Sequence, residues 1–481
     1  MKRTMLMCIV ALILISGCTA SSVEETKEEA IELTIWHYYG GTAEETFSYL
    51  IQLFNQTVGA ENNITVKAYS YDGVSELAEA VEASASGMAG ASAMPSIFAS
   101  YIDDVLPLQE AGLIADLTPY FTEEELSTYY EPFIEEGMLG ENQSLNILPI
   151  AKSTEVLHIN KTAYDEFVSE TTYTYEDLST WEGVAEVSEA YYAWTDSKTE
   201  DIEGDGKAFF GTDGMANFMI VGTKQLGNDI FIEENGVIKH QFTEEIAKKI
   251  WDVFYLPYMQ GYYSDESSYC SDDVASGEIV AYVGSTASSY YFPSQSQSMT
   301  GEYVDIECIT MPYPVFEDGD AVAVQQGAGM VVKKSTVEEE TAAVIFLKWF
   351  TENDNNTGFS VSTGYMPVKK EVLNIDYILA EMERDGEIDD TLPIIQATYS
   401  TYQQLEEYDL YSSIAFDGSS EARDVLESSL LSKIILDTKE YTYKVKDGTD
   451  AQEAMDEMLG EDNFMKWYHD ITEQLDEVIS N

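Results

Sequence analysis

Ile31-Glu32-Leu33-Thr34-Ile35-Trp36 alternates apolar and polar residues, as a strand with one better-buried face does. Downstream, Phe47, Leu50, Ile51 and Phe54 fall at i, i+3, i+4 and i+7, the stripe of an amphipathic helix. Ile64 to Tyr69 reads as a second strand, Val74 to about Ser86 as a helix, and Ser96-Ile97-Phe98-Ala99-Ser100 as a third strand after Pro95. Strand, helix, strand, helix, strand builds a mostly parallel sheet covered by helices, so the chain is expected to be α/β.

The same mixture continues. Glu155 to Asn160, Glu278 to Gly284, Val304 to Met311 and Ala328 to Val332 read as strands. Tyr175 to Thr195, Asn217 to Leu226 and Gln241 to Tyr258, ended by Pro257, read as helices. Ala342, Ile345, Phe346 and Trp349 repeat the helical stripe, and the last third is mainly helical, ending in 451–480. No internal repeat is present.

Before the first strand lies a different kind of sequence. Lys2 and Arg3 precede an apolar run from Met5 to Ile15, then Ser16-Gly17-Cys18. A charged start, a short apolar middle and a small-residue exit are the parts of a secretory signal. The run of about eleven residues is too short to span a bilayer, which takes roughly 20. The small residues before Cys18 resemble a bacterial lipobox. That resemblance implies cleavage of residues 1–17, lipid on Cys18, and a body tethered to the cell membrane at its extracellular face, or on the periplasmic side of a two-membrane envelope. A single-membrane envelope is the favoured expectation. Residues 18–30 are small, polar and acidic, unable to bury enough apolar surface to fold alone, and suit a tether.

Without residues 1–17, 464 residues remain, which suits two or three domains. Loss of Lys2 and Arg3 takes the formal charge from −64 to −66. Such a charge repels nucleic acid and anionic membrane surfaces. Only Arg384 and Arg423 remain as arginines, against 33 tyrosines. Few guanidinium groups weigh against a strongly anionic ligand. Tyrosine, with a flat apolar face and a polar tip, suits a ligand with both kinds of surface. Cys270 and Cys308 could pair in an oxidising exterior or stay as thiols; spacing leaves both open.

Five segments, in order, carry a family resemblance. They are Leu33-Thr34-Ile35-Trp36-His37, Leu108 to Leu117 (LQEAGLIADL), Leu148 to Lys161 (LPIAKSTEVLHINK), Gly327 to Thr336 (GAGMVVKKST), and Ser362 to Val368 (STGYMPV). Together they resemble the extracellular solute-binding proteins of bacterial ABC importers, the family that includes maltose-binding protein. The resemblance implies a periplasmic-binding-protein-like type II fold: two α/β lobes joined by crossing strands, with ligand in the cleft between them. Lobe 1 is expected at 31–149 and 285–334, lobe 2 at 150–284 and 335–481, with crossings near Pro149, Gly284 and Lys334. The implied function is capture of a mono- or oligosaccharide by hinge closure and delivery to a membrane permease. No cofactor or metal, no nucleic acid and a monomeric chain are expected.

Candidate ligand contacts sit where strands end at the cleft. They are Trp36, His37 and Tyr38 after the first strand, and Tyr71 and Asp72 after the second. Ser153 and Thr154 lie in the crossing motif, Ser285 and Thr286 follow the expected second crossing, Gln326 and Gly327 enter the expected third, and Tyr365 lies in Ser-Thr-Gly-Tyr-Met-Pro. The Lys-Ser-Thr segment also resembles the glycerol-3-phosphate branch of the family, in which Lys152 would meet a phosphate. Asp201 to Gly206 begins like a calcium loop, but Thr212 stands where the bidentate Glu is needed. Gly327-Ala328-Gly329 has Val332 at the third glycine of a dinucleotide fingerprint. His37, His158, His240 and His469 form no helical metal pair. A secreted glycoside hydrolase is the rival enzyme class, but among 88 acidic residues a carboxylate pair diagnoses nothing. A surface adhesin would show β-rich repeats.

Overall fold

The structure, a computed structural model, describes residues 30–140, 142–199, 204–385 and 388–480. Cys18, the leader, nearly all of the tether and Asp201 to Glu203 lie outside the described residues.

Nine strands form two central sheets: β1 (Ile31–His37), β2 (Ile64–Ser70), β3 (Ile97–Ser100), β4 (Ile147–Leu148), β5 (Glu155–Asn160), β6 (Phe210–Thr212), β7 (Ala281–Ser285), β8 (Cys308–Pro312) and β9 (Gly329–Val332). The first sheet runs β2-β1-β3-β9-β4. In it β1 is parallel to β2, from Ile31 opposite Ile64 to His37 opposite Ser70, and parallel to β3. The antiparallel β9 pairs with β3 and β4. The second sheet runs β8-β5-β7-β6, with β5 antiparallel to both neighbours. Leu33 and Ile35 are fully buried, as the alternation in β1 predicts, and Phe47, Leu50, Ile51 and Phe54 form the buried stripe of helix Gly41–Gln56.

Each sheet has its own core. Around the first gather Phe47, Phe54, Phe98, Phe346, Phe350 and Phe359; around the second, Tyr164, Trp181, Phe218, Trp251, Phe316 and Trp467. These are the two lobes, but their boundaries differ from expectation. Residues 285–324 stay in the second lobe, because β8 takes the edge beside β5 and Val322–Val324 joins the second core. Residues 335–368 return to the first, because helices Val337–Phe350 and Asn353–Thr363 bury Phe346, Leu347, Phe350 and Phe359 there. Gly284 and Lys334 are therefore not crossings. The chain crosses at Pro149–Thr154, returns at Gln325–Ala328, and leaves again between Val368 and helix Pro393–Glu407. That helix is tied to β8 by Ser400 Oγ, which donates to the Thr310 carbonyl at 2.6 Å.

The crossing segments lie side by side. Ser153 and Gln326 exchange backbone hydrogen bonds of 3.0 and 2.9 Å, and Lys152 and Met366 do the same at 3.1 and 2.5 Å. Gly327 holds φ +92°, and a Cβ there would lie 2.6 Å from the Ala151 carbonyl oxygen. Only glycine meets both conditions without moving backbone.

Local differences follow neighbouring chemistry. Thr180 accepts an amide hydrogen bond from Gly183 and starts helix Trp181–Asp196, so the expected helix from Tyr175 opens as a separate 3-10 turn. Pro257 does not end its helix, which runs to Met259 after a π turn at Trp251–Tyr255. Cys270 and Cys308 are free, buried thiols.

Candidate functional site

The parallel strands of the first sheet end at Tyr38 and Tyr101. Their rings stack with centroids 6.5 Å apart, and the Tyr38 hydroxyl accepts the Ala328 amide at 3.3 Å. Tyr365 closes the group, with its hydroxyl engaging Tyr38 and its ring 6.1 Å from Phe359. Burial pushes all three phenols well above their ordinary range. They stay neutral donors with apolar faces.

Beside them is a narrow space, part of it open to solvent, lined by Tyr101, Phe133, Glu136, Pro149, Lys152 and Gly327, among others. Its floor is an ion pair. The buried Lys152 ammonium meets Glu136 and donates to the Gly327 carbonyl at 2.7 Å. Glu136 also accepts from Gln325 Nε2 and from Ser412 Oγ of the second lobe, each at 3.0 Å. A phosphate would have to displace these partners, so the structure does not offer Lys152 as a free cation.

Polar side chains of the second lobe meet the crossing from the other side. Arg423 donates to Asn217 Oδ1, and Asn217 Nδ2 donates to Glu155 Oε1 at 2.6 Å. Gln326 Nε2 donates to the same oxygen at 2.9 Å. Glu155 Oε2 is buried with no hydrogen-bond partner among the described residues. Arg423 also faces Asp103 and Asp104, at the first turn of helix Ile102–Glu110. Ser420, in the first turn of helix Ser419–Lys446, donates to Asp104 at 3.3 Å. The lobes thus touch across the cleft through these two helix starts, and burial raises both Asp carboxyls despite Arg423.

Burial pushes the Glu155 carboxyl from 4.5 to about 7; Asp213 adds to the shift, while Asn217, Arg423 and Gln326 oppose it. The folded chain therefore holds a proton that the unfolded chain has released between those values. Stability falls as pH rises across that window and is flat above it. Glu155→Gln should raise the melting temperature at pH 8 and change it little at pH 4.5. An equal shift at both would exclude the titration.

The sequence candidates divide. Tyr38, Gln326, Gly327 and Tyr365 belong to this constellation. Ser153 and Thr154 lie at its base but are buried; Thr154 Oγ1 accepts from Gln404 Nε2 at 2.8 Å. Thr286 is 1% exposed and its amide donates to the Thr154 carbonyl, while Ser285 Oγ caps the turn that follows. Trp36 and His37 are corrected to core. Trp36 packs its ring 5.2 Å from Tyr71, and His37 sits between Tyr39 and Phe47 with Nδ1 accepting the Tyr39 amide. Desolvation lowers His37 to about 4, so it is neutral. Tyr71 partners Trp36, and Asp72 is an exposed turn residue; neither lines the cavity. Sequence reasoning missed Tyr101, Glu136, Glu155, Asn217 and Arg423. Two signals existed: Tyr101 ends a strand as Trp36 does, and Arg423 is one of two arginines in the body.

Among the described residues no group of three or more His, Cys, Asp or Glu side chains is placed to hold a metal ion, and no helix is long and apolar enough to cross a membrane.

Residues 50–388 match the family model of the bacterial extracellular solute-binding proteins. No curated protein matches the sequence. Among solved structures, the cyclic α-maltosyl-1,6-maltose binding protein of Arthrobacter globiformis shares 18% identity over 94% of this chain and 99% of its own, with TM-score 0.64. UgpB of Mycobacterium tuberculosis, solved with glycerophosphocholine, shares 16% over 93% and 98%, also at 0.64. The GacH receptor of Streptomyces glaucescens, solved both unliganded and with acarbose, shares 13% over 93% and 99%, at 0.63. These likenesses show the fold, which is the expected periplasmic-binding-protein-like one. With the family model matched over residues 50–388, the chain belongs to the bacterial extracellular solute-binding proteins.

Proposed function

We propose that this chain captures an uncharged carbohydrate, a mono- or oligosaccharide, in the cleft between its lobes and presents it to the permease of an ABC importer. The observation that carries the reading is the cleft's chemistry. Tyr38, Tyr101 and Tyr365 supply ring faces and neutral hydroxyls, while both nearby cations, Lys152 and Arg423, are already committed to protein groups. Such a lining suits hydroxyls and sugar faces and offers no uncommitted positive charge to an anion. Ligand held between Tyr101 on the first lobe and groups of the second favours the closed form, because only closure completes both sets of contacts. The chain works as a monomer and leaves its cargo intact.

A second reading keeps a phosphodiester such as glycerophosphocholine. Arg423 could meet the phosphate, and the tyrosines with Asp103 and Asp104 a quaternary ammonium. Calorimetry against neutral oligosaccharides, glycerol-3-phosphate and glycerophosphocholine separates the two. Heat with a sugar alone supports the first, and heat with a phosphate ligand alone overturns it. Hydrolysis of a bound oligosaccharide over hours would instead reveal a glycosidase.

The carbohydrate reading carries the lipid anchor with it: Cys18, cleaved and lipidated, would hold the body at the extracellular face of the cell membrane. Cys18→Ala should move the protein from the membrane fraction to the soluble one. Unchanged retention in the membrane fraction would exclude lipid on Cys18.

A further inference from the structure

Across the cleft the lobes meet at the starts of two helices, and the contact is unbalanced in charge. Helix Ile102–Glu110 of the first lobe opens with Asp103 and Asp104, and helix Ser419–Lys446 of the second opens with Ser419 and Ser420. Ser420 Oγ donates to Asp104 across the boundary at 3.3 Å. Residues 420, 423 and 424 share one face of their helix, at i, i+3 and i+4. The bond from Ser420 therefore brings Arg423 and Asp424 up to the same helix start. Glu136, at the end of helix Glu131–Glu136, bears on Asp103 from within the first lobe and accepts from Ser412 of the second at 3.0 Å. Arg423, the cation of this contact, donates to Asn217 of its own lobe. Ser419 Oγ, 5% exposed, stands beside Asp103 and makes no close hydrogen bond among the described residues. A protonated Asp103 can donate to it.

Asp103 and Asp104 are both partly buried where the lobes join. Parting the lobes returns water to them and carries Asp424 away. Joining the lobes does the reverse. It strips water from two carboxylates and sets a third against them, with one guanidinium to offset the three. Desolvation and a like charge each favour the protonated form. Accordingly, burial raises both carboxyls; at Asp104 the charges of Asp103 and Asp424 add to the rise, and Arg423 opposes it at both.

We propose that closing the lobes takes up protons at Asp103 and Asp104, so that this helix-to-helix contact is a latch on the cleft that acid strengthens. The proposal rests on capture by lobe closure and adds a regulator to it. The closed form binds more protons than the open one. The latch is therefore fully engaged below the ordinary Asp value of 3.8 and is lost as pH rises through the raised values of the closed form. By linkage, cargo that closes the lobes draws in protons, and the same cargo is held more tightly in mild acid.

The test is small-angle scattering of the full body of the protein, without cargo, at pH 5 and pH 8, with circular dichroism to establish that each sample is folded. The wild type should have the smaller radius of gyration at pH 5. Asp103→Asn/Asp104→Asn carries neutral amides of nearly the same shape and should be compact at both pH values. Asp424→Asn should shrink the difference between them. Glu61→Gln/Glu79→Gln removes two exposed charges from other helices of the first lobe and should respond as the wild type does, which separates the latch from the fall in overall charge. The same radius of gyration at both pH values in the wild type, a wild-type response in Asp103→Asn/Asp104→Asn, or loss of the response in Glu61→Gln/Glu79→Gln would each overturn the proposal. No readout uses cargo, so the choice between sugar and phosphodiester is decided separately by calorimetry.

Discussion

Trp36→Ala is expected to destabilise the first lobe by about 3–5 kcal/mol, the cost of removing a large aromatic side chain from a packed core. Trp36 is 6% exposed at the end of β1, where it pairs with Tyr69 across the sheet and packs on Tyr71. It sits in the same core as Phe98 and Tyr39. Its loss opens a cavity beside a strand that is bonded on both sides, so neighbours cannot collapse into the space without moving β1. The check is denaturant unfolding of the variant by tryptophan-independent circular dichroism. Destabilisation below 1 kcal/mol, with weaker cargo binding, would return the Trp36 ring to the cleft surface, where strand-end logic first puts it.

That contrast shows what the sequence could and could not carry. Alternation in β1 and the stripe Phe47, Leu50, Ile51 and Phe54 are local periodicities, and both describe the fold correctly. The crossing near Pro149 was expected from the likeness of Leu148 to Lys161 to the family's first crossing and not from a local periodicity. The lobe boundaries after residue 284 were not legible, because they depend on which sheet edge accepts a strand. Cys308–Pro312 could satisfy its backbone on either sheet; its pairing with β5 is a contact between residues some 150 positions apart, and no local pattern encodes it. The helix stripe through Phe346 likewise states that one face is buried and not against which core.

The site was legible in part for a related reason. Tyr38, Gln326, Gly327 and Tyr365 are tied to strand ends and crossing segments, which sequence could place. Trp36 and His37 share that position along the chain, but strand alternation and the first core turn their rings inward. Asn217 and Arg423 come from helices of the second lobe, and only tertiary structure brings them to Glu155. Hydrogen bonds from Arg423 to Asn217, from Asn217 and Gln326 to Glu155, and from Ser420 to Asp104 reach from the second lobe to a crossing and to the first lobe. A ligand that rearranges any one of these bonds therefore acts on the lobe angle, which is the property a capture protein needs.

The buried pair at the crossing gives the other large effect. Lys152→Met should cost about 3 kcal/mol, near the low end for breaking a buried ion pair by removing one partner. Lys152 is 2% exposed and Glu136 15% by side chain, so the carboxylate left behind is desolvated but keeps hydrogen bonds from Gln325 and Ser412. The Gly327 carbonyl loses its donor at the same time, at a glycine whose backbone has no room to turn. Adding Glu136→Gln removes the stranded charge, and the double variant should recover most of the loss, since an uncompensated buried charge dominates it. The two melting temperatures, measured side by side, decide the matter. If Lys152→Met alone is as stable as the wild type, the ammonium is dispensable to the crossing and is available to a ligand, which would restore the phosphate reading of Lys152. If the double variant is no better than the single, the loss lies in the Gly327 carbonyl and in packing against Phe133, 6.0 Å from the ammonium, and not in the stranded charge.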